Sequence, residues 1–163
     1  EYLVNKGNGG RDMDGRTLFF YLATVNTPAM ALEIPGVGSQ YAFSSRDGSG
    51  AYLNGSNTYK LNIPANPPAQ KFWSFVVYDP QTRSMLQTGE MPYPSKNNKR
   101  NAEMVKNADG SIDLYFGPQA PAGMEANWVK TVPGKGWFGI FRLYGPGQEW
   151  FDRTWKLGNI EKV

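Results

Sequence analysis

The chain has 163 residues, a formal net charge of +3, and neither histidine nor cysteine. Those two absences exclude Ser-His-Asp and Cys-His machinery, thiolate nucleophiles and the usual zinc ligand sets; carboxylate chemistry, Lys or Tyr as acid or base, and oxygen-only cation sites survive. With 19 Gly, 12 Pro, 14% aromatic and only 19% charged residues, the balance favours many short strands joined by tight turns, folded as one domain over 1–163.

The basic residues are scattered rather than gathered on a stripe, which speaks against a nucleic-acid partner. No apolar run approaches the roughly 20 residues that cross a bilayer, so no membrane span is expected. The chain starts with Glu1 rather than Met, the mark expected of a processed product or a fragment.

In chain order, residues 17–25 read as a strand covered on both faces, with a short buried helix as the alternative. Pro28 and the Pro35-Gly36-Val37-Gly38 stretch interrupt regular structure, because Pro lacks a donor and Gly frees the backbone. Residues 39–44 are expected to form a strand, 47–50 a turn, and 51–53 a short strand running into an Asn54-Gly55 turn. Tyr59, Leu61 and Ile63 alternate with Lys60, Asn62 and Pro64, giving one dry and one wet face. Residues 72–78 are the most hydrophobic stretch and read as a central strand.

Asp79-Pro80 makes a turn, 84–88 a short strand, and 92–101 a polar, basic loop. Asn107 to Gly110 is a hairpin signal before 112–116, where Ile112, Leu114 and Phe116 share a face. Residues 137–144 form the last strong strand, with Arg142 opposite Phe141 and Leu143. Trp150, Phe151 and Trp155 have the spacing of one or two helical turns, and the tail is expected to lie back on the body. The resulting expectation is an all-β, antiparallel β-sandwich of jelly-roll type with short helical turns near the C-terminus.

Few residues point to chemistry. Glu149 and Asp152 lie three apart, so a helical turn places both on one side, and Glu125 and Glu90 are available from loops to complete a glycosidase-type acid pair. Solvated acids, or acids paired with Arg153, explain them as well. Asp12-Met13-Asp14-Gly15 resembles the middle of a calcium loop without its first ligand or closing Glu, and a turn is the better reading, so no metal is assigned. Lys96, Lys99, Arg100 and Lys106 form a basic patch with no aromatics between them, which favours a solvated loop. Five tryptophans and nine tyrosines offer flat faces on which a sugar ring stacks, although core packing accounts for most of them.

Several ordered motifs carry a resemblance: Leu53-Asn-Gly-Ser-Asn-Thr-Tyr59, Phe72-Trp-Ser, Tyr78-Asp79, Asn107-Ala-Asp-Gly-Ser111, Phe116-Gly-Pro-Gln-Ala-Pro-Ala-Gly123, Glu125-Ala-Asn-Trp128, Gly136-Trp-Phe138, and Arg142-Leu-Tyr144 before Trp155. From about Arg16 onward the chain resembles the bacterial domain-of-unknown-function family 1214. The resemblance implies a jelly-roll-like sandwich forming the C-terminal part of a larger protein, behind an N-terminal partner domain, in a parent secreted to the periplasm or exterior. It carries over no catalytic residues and no cofactor. The motif residues read as architecture, with Arg142 pairing with Glu125; Asn127 and Trp128, between two Pro/Gly loops, are the exception, a polar group beside an aromatic placed to face a ligand.

The leading expectation is therefore a non-catalytic module that packs on a partner domain or on a second copy of itself. The alternatives are a carbohydrate-binding module using exposed Trp, and a carboxylate-only glycoside-hydrolase-like enzyme built on Glu125, Glu149 or Asp152.

Overall fold

The computed structural model describes residues 12–15, 17 and 33–163. The strand expected at 17–25 lies, apart from Thr17, outside the described residues, as does Pro28. Asp12 Oδ1 accepts the Gly15 amide at 2.8 Å, so the calcium-like tetrapeptide is a self-bonded turn entering a helical segment.

Among the described residues, eight strands build two four-stranded sheets. The first sheet takes β1 (Ser39–Ser44), β7 (Phe138–Pro146), β3 (Ala69–Tyr78) and β4 (Ser95–Asn97) in that order, all antiparallel. The second takes β6 (Trp128–Lys130), β5 (Ile112–Gly117), β2 (Tyr59–Ile63) and β8 (Ile160–Lys162). The chain is thus an all-β sandwich with the strand number of a jelly roll. Antiparallel pairing has one exception: β5 and β6 run parallel, because residues 118–127, ending in a 3-10 turn at Glu125–Asn127, carry the chain back along the sheet before it re-enters. A single α-helical turn, α1 (Gln148–Phe151), follows β7 where helical spacing was expected. No helix among the described residues is long and apolar enough to cross a membrane.

The core is the layer between the sheets. Alternation places Tyr59, Leu61 and Ile63 of β2, and Ile112, Leu114 and Phe116 of β5, against Trp73, Phe75 and Val77 of β3, and Phe141 and Leu143 of β7. Aromatic rings tie the layers together: Phe75 meets Phe116 at 4.8 Å, Phe116 meets Trp137 at 5.1 Å, and Trp137 meets Tyr59 edge-on at 5.7 Å. At the other end Trp73, Phe141, Trp155 and Trp150 form a second chain of ring contacts.

Several expectations change in the three-dimensional structure. The polar loop at 92–101 contains β4, an edge strand. Residues 84–88 and 51–53 form only isolated bridges, Met85 to Tyr78 and Tyr52 to Arg46. The turn at Asn107 to Gly110 closes with the Gly110 amide on the Asn107 carbonyl, yet it leads into β5 without a preceding hairpin partner among the described strands. The C-terminal tail does lie back on the body, as β8 beside β2.

Candidate functional site

The motif residues are mostly architecture. Gly55 sits so close to the backbone at Val132 that an added Cβ would stand 2.1 Å from its carbonyl oxygen. The Gly55 carbonyl in turn accepts the Thr131 hydroxyl at 2.8 Å, while Tyr59 Oη accepts the Asn54 amide at 3.0 Å. The 53–59 motif is therefore a latch holding the loop at 131–136.

The residues singled out from the sequence do not assemble into one place. Glu125 is exposed on the 3-10 turn beside β6 and accepts the Gly123 amide of its own loop. Glu149 and Asp152 are exposed on and just after α1, at the end of the other sheet, where Asp152 accepts from the Gln148 side chain at 2.6 Å. Glu90 is paired with Lys130. Arg142 does not pair with Glu125; it donates to the Tyr78 hydroxyl, because β7 places it on the outer face of the first sheet beside β3.

Asn127 is buried, and its amide is fully committed to the chain: Oδ1 accepts the Val105 amide at 2.7 Å, and Nδ2 donates to the carbonyls of Val105 and Asp113 at 2.8 and 2.9 Å. The neighbouring Trp128 is half-buried, and its Nε1 donates to the Gly117 carbonyl. The other four tryptophans are buried in the core, so none of the five stands as an exposed platform. The basic patch is also dispersed: Lys96 points to the inner face opposite Phe75 and is buried, whereas Lys99 lies over the Phe72 ring. Among the described residues, no three acidic side chains converge as a cation site requires.

Two features remain. The first is a cleft of about 400 Å³ between the free edges of β1 and β8, floored by Leu61, Phe75, Gly139 and Ile160 and rimmed by Ser44, Arg46 and Asp47. Its rim is already spent on its own turn. Arg46 donates to the Gly50 carbonyl and stacks on Tyr52, and Asp47 accepts from the Ser49 and Ala51 amides and the Ser49 hydroxyl. The Ser49 hydroxyl is the chief reason the Asp47 carboxyl lies below the usual carboxylate range.

The second is the outer face of the first sheet. Strand alternation and register set Tyr41 and Phe43 of β1, Phe138, Ile140, Arg142 and Tyr144 of β7, and Phe72, Val76 and Tyr78 of β3 on this side. Phe72 stacks on Tyr144 at 4.1 Å, and Phe138 lies between Tyr78, at 5.2 Å, and Phe43, at 5.3 Å. Arg142 stands among them, its guanidinium 5.7 Å from the Tyr78 ring centre and 5.9 Å from that of Tyr41. Burial pushes the Tyr78 phenol above its ordinary value, with the Arg142 charge acting against it. The outer face of the second sheet is different in kind: Lys60, Asn62, Asp113, Lys130 and Glu161 lie there with Tyr115 and Trp128, and Asp113 both pairs with Lys60 and accepts from Asn62.

Comparison with known proteins adds the fold and the family. The chain resembles the crystal structure of a Vibrio parahaemolyticus protein, with a TM-score of 0.67 and 23% identity over 88% of this chain and 33% of that one. It also resembles the crystal structure of an uncharacterised Burkholderia cenocepacia protein, with a TM-score of 0.52 and 16% identity over 80% of this chain and 31% of that one. At such identities the likeness concerns the fold, and the chain spans about a third of the length of either solved protein. No curated protein matches the sequence. Residues 38–148 match the model of the family described as "Protein of unknown function (DUF1214)", which takes in both sheets up to the start of α1, and the chain belongs to that family.

Proposed function

We propose that the chain is a non-catalytic module that docks through the outer face of its first sheet onto another domain of a longer protein. The contrast between the two outer faces carries this reading. A sandwich ordinarily buries its inner faces and presents polar side chains outward. The second sheet does so; the first carries the half-buried Phe72, Ile140, Tyr144 and Tyr78 around a buried Phe138 instead, a set rich in the aromatics and arginine that favour protein interfaces. That this chain covers only about a third of either solved structure with this fold supports a partner in the same polypeptide. The C-terminal position, and a periplasmic or extracellular address, belong to the same proposal through the family resemblance.

The sugar and hydrolase readings gain no such support. The tryptophans pack inward or donate to backbone, and the three acids sit on two separate connections.

The test is to purify the module and the remainder of its parent chain separately, mix them, and measure the mass of the product by light scattering. A one-to-one complex is expected, weakened about tenfold or more by Ile140→Glu or Tyr144→Glu, each with the urea midpoint of the isolated module as its folding control. No complex, or one indifferent to both substitutions, overturns the proposal. A dimer of the isolated module broken by the same changes would assign the face to a second copy instead.

A further inference from the structure

We infer that Arg142 is the receptor for a carboxylate carried by the docking partner, an inference that rests on the docking role proposed above. A guanidinium has five N–H donors, no acceptor, and a charge it keeps at every ordinary pH. Among the described residues its hydrogen-bond partner is the neutral Tyr78 hydroxyl, and its buried Nε has no acceptor there. The ion pairs among the described residues join Lys60 to Asp113, Lys130 to Glu90 and Lys135 to Asp79, so none includes this arginine.

Its row across the sheet is Tyr41, Arg142, Ser74 and Asn97, which offers polar groups but no negative charge. A half-buried cation without a counter-charge is costly to keep, and a carboxylate arriving with a dry surface removes that cost. The flanking Tyr78 and Tyr41 rings hold the guanidinium in place, so little side-chain freedom is left to lose when a two-pronged pair forms. One cation on a flat face matches the single charge of a carboxylate, whereas phosphate sites gather several donors. The aromatic surround excludes water from the pair, the arrangement in which interface charges matter most.

Two measurements test this. In the first, the Arg142 Nε–H signal of the arginine-labelled chain, identified by its loss in Arg142→Lys, is followed as sodium acetate is added, with sodium chloride at equal ionic strength as control. A saturable shift with acetate alone is expected; no shift, or an equal shift with chloride, overturns carboxylate recognition. In the second, the module is titrated against the separately purified remainder of the parent chain. Arg142→Leu is expected to weaken docking by about tenfold or more, Arg142→Lys to weaken it less, and acidification from about pH 7 to about pH 4 to weaken the wild-type complex more than the Arg142→Leu complex, as the carboxylate is protonated. Urea midpoints of both variants separate lost docking from lost folding. Docking indifferent to both substitutions overturns the carboxylate and leaves the docking role standing, whereas a wild-type module that does not dock overturns both.

Discussion

The Phe75 ring of β3 occupies the space that a side chain at Gly139 of β7 would fill: a Cβ added there would lie 2.2 Å from Phe75 Cζ. Both positions face the core, and Phe75 is locked between Phe116 and neighbouring apolar side chains, so the ring cannot swing clear. Gly139→Ala is therefore expected to cost about 1–3 kcal/mol through overpacking, and less in a Phe75→Leu background, because the two positions share one volume. Urea denaturation of the two single mutants and the double mutant checks this; strictly additive losses would disprove it. Gly55→Ala should cost more than Gly139→Ala, since the obstruction is the Val132 carbonyl rather than a side chain.

Asn127 gives a sharper choice between architecture and ligand binding. Its amide satisfies one N–H and two carbonyls, pinning the loop at Val105 to the start of β6 and to β5. Asn127→Ala leaves those groups without partners and is expected to cost roughly 3 kcal/mol in urea denaturation. Asn127→Asp keeps the acceptor for Val105 but sets a negative charge against two carbonyls, and should be destabilising as well. A loss within about 0.5 kcal/mol for Asn127→Ala would place the residue among ordinary surface polar groups and reopen its role as a ligand contact.

How far these features could be read in the sequence depends on the kind of signal each one has. β2 was legible because Tyr59, Leu61 and Ile63 alternate with polar residues, and the same period appears in its burial. β3 and β7 were legible as strands from their runs of apolar and aromatic residues; what is not written locally is which residues of two distant strands become neighbours. Phe72 beside Tyr144, and Arg142 beside Tyr78, exist only through the β3–β7 register. β4 escaped because Ser-Lys-Asn has no strand propensity of its own, and it forms by lying along β3. Asn127 stands out in the sequence as an amide beside an aromatic at a strand end, whereas its partners are backbone groups up to 22 residues away, which no spacing reveals.

Lys96 shows an edge strand being protected. It faces inward opposite Phe75 and is buried, and burial holds its amine below the ordinary lysine value, with Glu103 opposing. An inward lysine on a short edge strand discourages another strand from pairing there. Lys96→Met keeps the aliphatic stem and removes the desolvated charge, so it is expected to raise stability by up to about 1 kcal/mol while making the module associate as concentration rises. Urea denaturation and light scattering read the two effects; a variant that is less stable and strictly monomeric would contradict the account.

Acid should loosen the fold through Asp79 in particular. Its carboxylate takes the Lys135 ammonium at 2.9 Å and the Gln81 amide at 2.8 Å, and the lysine bond is the chief reason its carboxyl lies below the usual range, with burial opposing. A carboxyl that ionises more readily in the folded state than in the unfolded chain contributes its full stability above the unfolded value, about 3.9, and loses it as pH falls through the lower folded value. Asp47 and Asp109 are lowered too, by the Ser49 and Ser111 hydroxyls first, and titrate in the same acid limb. Unfolding free energy is thus expected to be level near neutrality and to fall below about pH 4, where the unfolded chain binds more protons. Asp79→Asn should be less stable at neutral pH and show a shallower acid fall, because it has no ionised partner for Lys135 left to lose. Lys135→Met should likewise show a shallower acid fall, because removing the group that holds the carboxyl down brings its folded value closer to the unfolded one. Superimposable pH profiles for wild type and Asp79→Asn would mean that the pair contributes nothing to the acid limb, and that the loop after β3 is held by its backbone bonds alone.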